Sequence, residues 1–137
     1  EGIDSIGFSF LDHSFEADFS VCIPFVKKLV AHTLEHGLKN TKLLNVNFPA
    51  LPLDQVKGMK VCRQANANWV EEFVVQKDPR DRAVYWMTGQ FVNEDPGEDT
   101  DVWALENGYV SIVPSHHDLT DYKALVSLKY LESHAND

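Results

Sequence analysis

Leu43-Leu44-Asn45-Val46-Asn47-Phe48-Pro49 and Gly108-Tyr109-Val110-Ser111-Ile112-Val113-Pro114 are the stretches that decide the fold of this chain. Each is an apolar run with β-branched residues that stops at a proline, which is typical of a buried strand leaving its sheet. Asp118-Leu119-Thr120-Asp121 follows the second stretch and indicates the beginning of a helix, with Asp118 or Thr120 as its cap. These segments predict a scaffold, and none of them is a catalytic motif.

A helix is predicted between two strands in the first part of the chain. Ile6 to Phe10 is a short apolar strand, and residues 16–36 have apolar side chains at helical spacing. Gly37 follows the last turn and favours a left-handed C-cap. With Leu43–Phe48 these elements form a βαβ unit, whose two strands are parallel. The predicted apolar stripe of the helix consists of Phe19, Cys22, Ile23, Val26, Leu29, Val30 and Thr33.

A β-hairpin is predicted in the middle of the chain, with arms at Trp69–Gln76 and Val84–Phe91 and its tip at 77–82. Both faces of this ribbon are apolar, and an isolated hairpin is marginal in water, so something must cover it. The chain is therefore divided into three parts. They are a βαβ portion of a Rossmann-like sheet (1–49), a β-rich region with a protruding hairpin (50–113, hairpin 69–91), and a C-terminal helix with its tail (114–137).

Smaller elements are predicted on either side of the hairpin. Met59–Gln64 is a further strand, and Val102–Asn107 is a short helix capped by Asp99 or Thr100. The strand Tyr109–Val113 precedes a final helix from Asp121 to about Ser133, whose apolar side is Leu125, Leu128 and Leu131.

Charge and composition exclude several classes of function. Twelve Lys and Arg against 21 Asp and Glu give a net charge of −9, which disfavours binding to nucleic-acid polymers and to anionic membranes. No apolar run approaches the roughly 20 residues that span a bilayer. Cys22 and Cys62 lie in a helical and a strand pattern, so two buried thiols are expected rather than a disulfide. This pattern indicates a reducing compartment, and we expect the cytoplasm.

Two groups of residues have the types that bind metals. His32-Thr33-Leu34-Glu35-His36 matches the His-x-x-Glu-His pattern of zinc peptidases, although histidines are also favoured at a helix C-terminus. The second group combines enough charge for a hard cation but lacks the spacing of a calcium loop, and a solvated acidic loop is the alternative. Its members are Glu94, Asp95, Glu98, Asp99 and Asp101.

Three further groups have a structural alternative beside a chemical one. His116-His117-Asp118 is either a pair of loop ligands or a turn with a helix cap. Asp12-His13-Ser14 contains the residue types of a catalytic triad, but consecutive side chains point in different directions. Lys77, Arg80 and Arg82 at the hairpin tip either bind a phosphate or form a solvated or intersubunit charge group.

The two deciding strands and the following Asp118-Leu119-Thr120 resemble those of the SurE survival-protein 5'-nucleotidases. Glu1–Ser9 is similar to the central Gly-Ile-Pro-Ser-Ile strand of that family, with Asp4 in place of the proline. Gln76–Arg80 is similar to its Asp-Pro-Arg hairpin loop, and the matches occur in the family's order. The resemblance implies an α/β fold, namely the C-terminal part of a SurE-like, Rossmann-like fold with a β-hairpin extension and a C-terminal helix.

The resemblance also implies an activity for the complete protein. SurE proteins hydrolyse nucleoside 5'-monophosphates with a divalent metal, Mn or Mg, held by Asn-Asp-Asp-Gly, Ser and Gly-x-Asn-x-Gly-x-Asn loops. None of these motifs occurs in the 137 residues, so no catalytic and no metal-ligating residue is carried over. We expect a fragment that begins downstream of the metal site and is inactive by itself.

For partners, the resemblance implies a homo-oligomer, a dimer or a tetramer, because the hairpin and the C-terminal helix of relatives reach other subunits. The alternative is a stand-alone oligomerisation or binding module without an enzymatic parent. The preferred nucleotide, the oligomeric state and the roles of His32, His36, His116 and His117 stay open. The residues expected at the oligomer interface are Trp69, Phe73, Val75, Val84, Tyr85, Trp86, Leu125 and Leu128.

Overall fold

A computed structural model describes residues 3–132, which contain a four-stranded mixed sheet and a separate two-stranded hairpin. The strands are β1 (Ser5–Phe10), β2 (Leu43–Phe48), β3 (Gly58–Val61), β4 (Ala67–Lys77), β5 (Ala83–Asn93) and β6 (Tyr109–Ser115). The α-helices are α1 (Ile23–His36), α2 (Asp101–Glu106) and α3 (Tyr122–Ser127). Short 3₁₀ turns lie at Phe19–Cys22, Leu53–Gln55 and Lys129–Glu132.

The four strands of the sheet lie in the order β1-β2-β6-β3. β1 and β2 are parallel, with Phe8 opposite Val46, which confirms the predicted βαβ unit. β6 runs antiparallel to β2 and parallel to β3. The sheet thus takes strands from both 1–49 and 50–113, and the division into three parts stays a prediction.

The main core lies on one face of this sheet. Val46, Phe48 and Val110 are at most 2% exposed. Helix α1 covers them with Phe25, Val26 and Leu29, and the preceding turn adds Val21 and Cys22. Because successive strand residues alternate between faces, Val113 lies on the opposite face and packs there with Cys62 and Ala104.

The first helix begins later than the sequence pattern predicts. Asp18 caps the 3₁₀ turn by accepting a 2.9 Å hydrogen bond from Ser20 N, and α1 starts at Ile23. The reason is Pro24, which has no N–H to donate and is therefore compatible only with the first turn of a helix. Gly37 has the predicted positive φ, 67°, and its N–H closes the helix on Thr33 O at 2.8 Å.

The predicted apolar stripe is only partly correct. Ile23 and Val30 are 49% and 38% exposed, whereas Phe25, which was not in the stripe, packs against the core.

The hairpin arms are longer than predicted, with 11 residues in each strand. β3 is shorter than predicted, because the chain turns out of the sheet and Arg63 pairs instead with Thr100. Thr100 is the N-cap of α2, as predicted, and accepts a 3.2 Å hydrogen bond from Trp103 N.

The cap predicted for the C-terminal helix is wrong. Asp121 caps α3 by accepting 3.0 Å hydrogen bonds from Lys123 N and Ala124 N. Asp118 instead accepts from Thr120 N at 2.9 Å and from the Tyr122 hydroxyl, so it forms a turn ahead of the helix. Thr120 bonds the Asp118 carboxylate through its N–H and its side chain, so it belongs to that turn and does not cap α3. Ser133 and the predicted tail lie outside the described residues.

Both cysteines are free and buried, as predicted. Burial raises the pKa of the Cys22 and Cys62 thiols. Within residues 3–132, no helix combines the length and the apolar character needed to cross a bilayer.

Candidate assembly surface

The hairpin presents one strongly exposed apolar face, which we call the Trp69 face. Residues that pair across an antiparallel ribbon share a face, so Phe73 lies beside Met87 and Val75 beside Tyr85. Every large apolar residue of this face is more than half exposed. The set comprises Trp69, Phe73, Val75, Tyr85, Met87 and Phe91.

The opposite side of the ribbon, which we call the Trp86 face, is also apolar. Val74 pairs with Trp86, and these residues are 42% and 58% exposed. Val70 is half exposed, and Val84 and Val92 are half-buried. The predicted interface residues of the hairpin therefore divide between two faces, with Val84 and Trp86 on the second.

A close approach fixes the position of the largest side chain on the Trp69 face. A Cβ atom added to Gly89 would lie 2.2 Å from Trp69 Nε1 and 2.5 Å from Val70 O. The indole therefore lies directly across Gly89, where any side chain would displace it. This packing places the indole against the ribbon at Gly89, and Trp69 is still 58% exposed and available for contact.

The predicted interface residues of the C-terminal helix lie apart from the hairpin. Leu125 and Leu128 are 52% and 48% exposed and, with Lys129 and Glu132, line a shallow cavity of about 370 Å³ that includes no hairpin residue. Helix α3 packs mainly against the 3₁₀ turn that follows it. Within the described chain, the structure does not bring these two apolar surfaces together.

The charged residues at the hairpin tip pair with each other. Arg82 contacts Asp78 at 2.6 Å, and Lys77 contacts Asp81 at 2.7 Å. Asp78 also accepts hydrogen bonds from the backbone N–H groups of Arg80 and Arg82, and these bonds lower the pKa of its carboxyl. Lys77 and Arg82 are therefore already partnered, which weakens the phosphate-binding alternative for the tip.

At the base of the hairpin, the predicted acidic loop is organised by Arg63. Its guanidinium donates to Asp95 at 2.6 and 2.8 Å and to Asp99 Oδ2 at 2.9 Å. These hydrogen bonds hold the pKa of both carboxyls below the usual range and raise the pKa of Arg63. Sequence reasoning missed Arg63, since 32 residues separate it from Asp95 and no motif links them.

The described residues do not fit a divalent metal ion. Asp95 and Asp99 bind Arg63, and Asp101 accepts from the N–H groups of Ala65 and Val102. In the part of the chain from 3 to 132, no group of three or more potential ligands converges. The acidic loop is therefore a structural ion-pair cluster.

The histidine pair of α1 has the geometry that its spacing predicts. The rings of His32 and His36 lie with centroids 4.5 Å apart, and Glu35 lies 3.6 Å from His36 Nε2.

The Asp12-His13-Ser14 segment forms a turn, in which the Asp12 carboxylate accepts a 2.9 Å hydrogen bond from Ser14 N. The carboxylate of Asp12 is therefore used locally.

Among the cavities of the described chain, two lie beside the segments that follow the carboxyl ends of β1 and β2, the edge at which open α/β sheets bind ligands. One, of about 390 Å³, is lined by Asp12, Asp18 and Ser20 together with Leu51. Both carboxylates accept hydrogen bonds from nearby backbone N–H groups, which lower their pKa values. The other cavity, of about 440 Å³, is apolar and extends to Phe91 at the base of the hairpin.

A family model described as "Survival protein SurE" matches residues 1–71, more than half of the chain. The chain belongs to the SurE family. It is 49% identical over 128 residues to the 5'-nucleotidase SurE of Flavobacterium psychrophilum, a match that covers 93% of this chain and 50% of that protein. The corresponding protein of Christiangramia forsetii is 51% identical over 128 residues, with 93% and 49% covered.

A solved structure confirms the SurE-like α/β fold. The SurE protein from Aquifex aeolicus superimposes with a TM-score of 0.74 at 37% identity, covering 96% of this chain and 52% of that one. The chain thus spans about half the length of the relatives that it matches. Residues 72–137, which carry most of the hairpin, lie beyond the region matched by the family model.

Proposed function

We propose that this chain supplies the scaffold and assembly part of a metal-dependent 5'-nucleotidase, and that it forms homo-oligomers through the hairpin. The complete enzyme hydrolyses the phosphate monoester of nucleoside 5'-monophosphates with Mn or Mg and works in the cytoplasm. The name 5'-nucleotidase SurE, carried by relatives about half identical to this chain, supports the reaction class. The 137 residues alone are inactive in this proposal, because none of the family's metal-binding motifs occurs among them.

The observation that carries the assembly role is the two-sided apolar hairpin. Monomeric proteins rarely expose an apolar patch of more than a few hundred Å². The six residues of the Trp69 face, at exposures of 54–67%, present roughly 600–700 Å² of side-chain surface. Two copies joined through this face would bury about 1,200–1,400 Å², which is within the range of specific interfaces.

Charge on the hairpin favours defined assembly over indiscriminate aggregation. Glu71 lies on the Trp69 face and Glu72 on the Trp86 face, each within a row of apolar residues. Charged side chains on an exposed ribbon oppose edge-to-edge pairing with other strands. The tip adds two internal ion pairs. A partner must accommodate these charges, so the ribbon is selective for a complementary surface.

The first test measures phosphate release from 5'-AMP and 5'-GMP by this chain, with Mn, with Mg and with EDTA. The 5'-nucleotidase SurE of Flavobacterium psychrophilum serves as the positive control. We expect no metal-dependent release from the 137-residue chain. Turnover that EDTA abolishes would overturn the inactivity of the chain.

The second test measures the molar mass by light scattering. We expect two or four times the 15.5 kDa of one chain, and a monomer at high concentration would refute the assembly role. The alternative, a stand-alone module, predicts an expressed length close to 137 residues in the native source. A band of about 250 residues, twice the 128 residues that match half of a relative, would eliminate that alternative.

A further inference from the structure

The direction of the hairpin is set where its two strands leave the rest of the molecule. β4 and β5 pack mainly against each other, so the arms themselves contribute little to holding the ribbon in place. The two roots are the segment 62–66 before β4 and the segment 94–101 after β5. The orientation of this ribbon, 11 residues long, must therefore be fixed by contacts between the two roots.

Backbone hydrogen bonds join the two roots next to the sheet. Arg63 N donates to Asp99 O and Asp101 N donates to Arg63 O, both at 3.0 Å. Ala65 N donates to Asp101 Oδ1 at 2.8 Å. These bonds fix the first root as far as Ala65, two residues before β4 begins.

The contact nearest to the hairpin is made by the carboxylate of Asp95. Its Oδ2 accepts from Asn66 N at 2.9 Å and from Arg63 Nη1 at 2.6 Å. Its Oδ1 accepts from Arg63 Nη2 at 2.8 Å and from Gly97 N at 3.0 Å. The side chain is only 9% exposed. One carboxylate thus ties the last residue before β4 to the second residue after β5, with Arg63 bound to it by a bidentate pair.

We propose that Asp95 and Arg63 are positioning residues that clamp the base of the hairpin and fix its direction relative to the four-stranded sheet. Through that direction the clamp sets the geometry in which copies of the chain assemble, a consequence that rests on the proposed function. A flexible base would impose an ordering cost each time two ribbons met, and a fixed base removes it.

Gly97 gives independent support from steric grounds. A Cβ atom at this position would lie 2.3 Å from Arg63 Nη2 and 2.6 Å from Asp99 Oδ1. The guanidinium therefore occupies the space that any other residue would need. Gly97→Ala consequently displaces Arg63 from Asp95 without changing any charge.

The clamp is tested by backbone N–H residual dipolar couplings, which report the orientation and mobility of the hairpin relative to the sheet. We expect one alignment tensor to fit both parts of the wild-type chain. In Asp95→Asn, the tensor magnitude for the hairpin should fall by about a third or more, because the bidentate pair is lost. Asp99→Asn is the matched control, since the same change removes the single bond from Arg63 Nε but leaves the bonds of Asp95 to Arg63 and to Asn66 N in place.

Two further variants separate geometry from charge. Arg63→Lys keeps the charge but cannot form the bidentate pair with Asp95, so the tensor magnitude for the hairpin should fall as in Asp95→Asn. Gly97→Ala should lower it in the same way, because the added methyl group displaces the guanidinium. A single rigid tensor in all three variants would overturn the clamp, and so would an equal loss in Asp99→Asn.

The consequence for assembly is measured by sedimentation equilibrium. The dissociation constant should rise about tenfold in Asp95→Asn and less than about threefold in Asp99→Asn. An unchanged constant in Asp95→Asn would overturn the link to assembly. A monomeric wild-type chain would refute the proposed function, while the couplings would still decide whether the clamp exists.

Discussion

Replacing Phe73 by Ser is expected to weaken assembly strongly while leaving the folded monomer nearly unchanged. Phe73 lies in the middle of the Trp69 face, opposite Met87, and is 60% exposed. Because the ring makes few intramolecular contacts, the free energy of unfolding of the monomer should change by less than about 1 kcal/mol. Replacing a phenylalanine in the core would lower the free energy of unfolding several times more.

The cost to assembly follows from the exposed area that a partner would cover. The exposed share of the ring is roughly 100 Å², and covering it contributes about 2–3 kcal/mol at about 25 cal/mol per Å². A loss of that size corresponds to about a 30- to 150-fold rise in the dissociation constant. In a two-fold symmetric interface both copies lose the ring, so these values are a lower bound.

Sedimentation equilibrium measures the dissociation constant, and denaturant unfolding at low concentration measures the stability of the monomer. Phe15→Ser is the matched control, because Phe15 is 111% exposed and lies outside the hairpin. It should leave the dissociation constant within about threefold of wild type. The reasoning would be refuted if Phe73→Ser assembled as tightly as wild type, or if both variants weakened assembly equally.

Three other predictions concern the folded chain itself. Phe48→Ala should lower the free energy of unfolding by about 3–5 kcal/mol in denaturant titrations, since Phe48 is 2% exposed and packs between Phe8 and Phe25; a loss under about 1 kcal/mol would contradict its place in the core. Thr100→Ala should lower the free energy of unfolding by about 1–3 kcal/mol, because Thr100 caps α2 and donates to Gly97 O at 2.9 Å. Thr100→Ser keeps both hydrogen bonds, so its free energy of unfolding should fall far less. Hydrogen bonds from Thr120 and Tyr122 lower the pKa of Asp118 to about 2, so its stabilising contribution is complete above about pH 4 and is lost as the pH falls through about 2. In the wild-type chain, the protection of the amides of residues 118–122 against hydrogen exchange should fall as the pH drops from about 4 to about 2. The same fall in Asp118→Asn would show that this carboxyl is not its cause.

Local elements could be predicted wherever the deciding interactions are close in sequence. The prolines after Phe48 and Val113 stop apolar runs, and Gly37 supplies the positive φ at the end of α1. Thr100 precedes its helix by one residue and caps it. The error at the C-terminal helix arose where three local signals competed. Asp118, Thr120 and Asp121 are all good caps, and only the backbone geometry selects Asp121.

The sequence predicted that the hairpin has two apolar faces, but not which residues lie opposite each other on them. Alternating apolar residues indicate two faces, because side chains alternate along a strand. Their pairing depends on the register, which places Phe91 opposite Trp69 and Gly89 beneath the indole. No local pattern shows that glycine contact, since 20 positions separate Gly89 from Trp69 in the sequence.

By itself, the sequence determined the SurE-like α/β character of this chain, the βαβ unit, the two apolar faces of the hairpin and the buried free thiols. The SurE-like character follows from the resemblance of the two deciding strands and the segment after them to that family, and the other features follow from hydrophobic periodicity and turn chemistry, which act over a few residues. Only the tertiary structure decided that β6 lies between β2 and β3, and that Arg63 gathers Asp95 and Asp99 at the base of the hairpin. Ion pairs and strand order depend on segments that are distant in sequence and meet only when the core forms, so no local pattern specifies them.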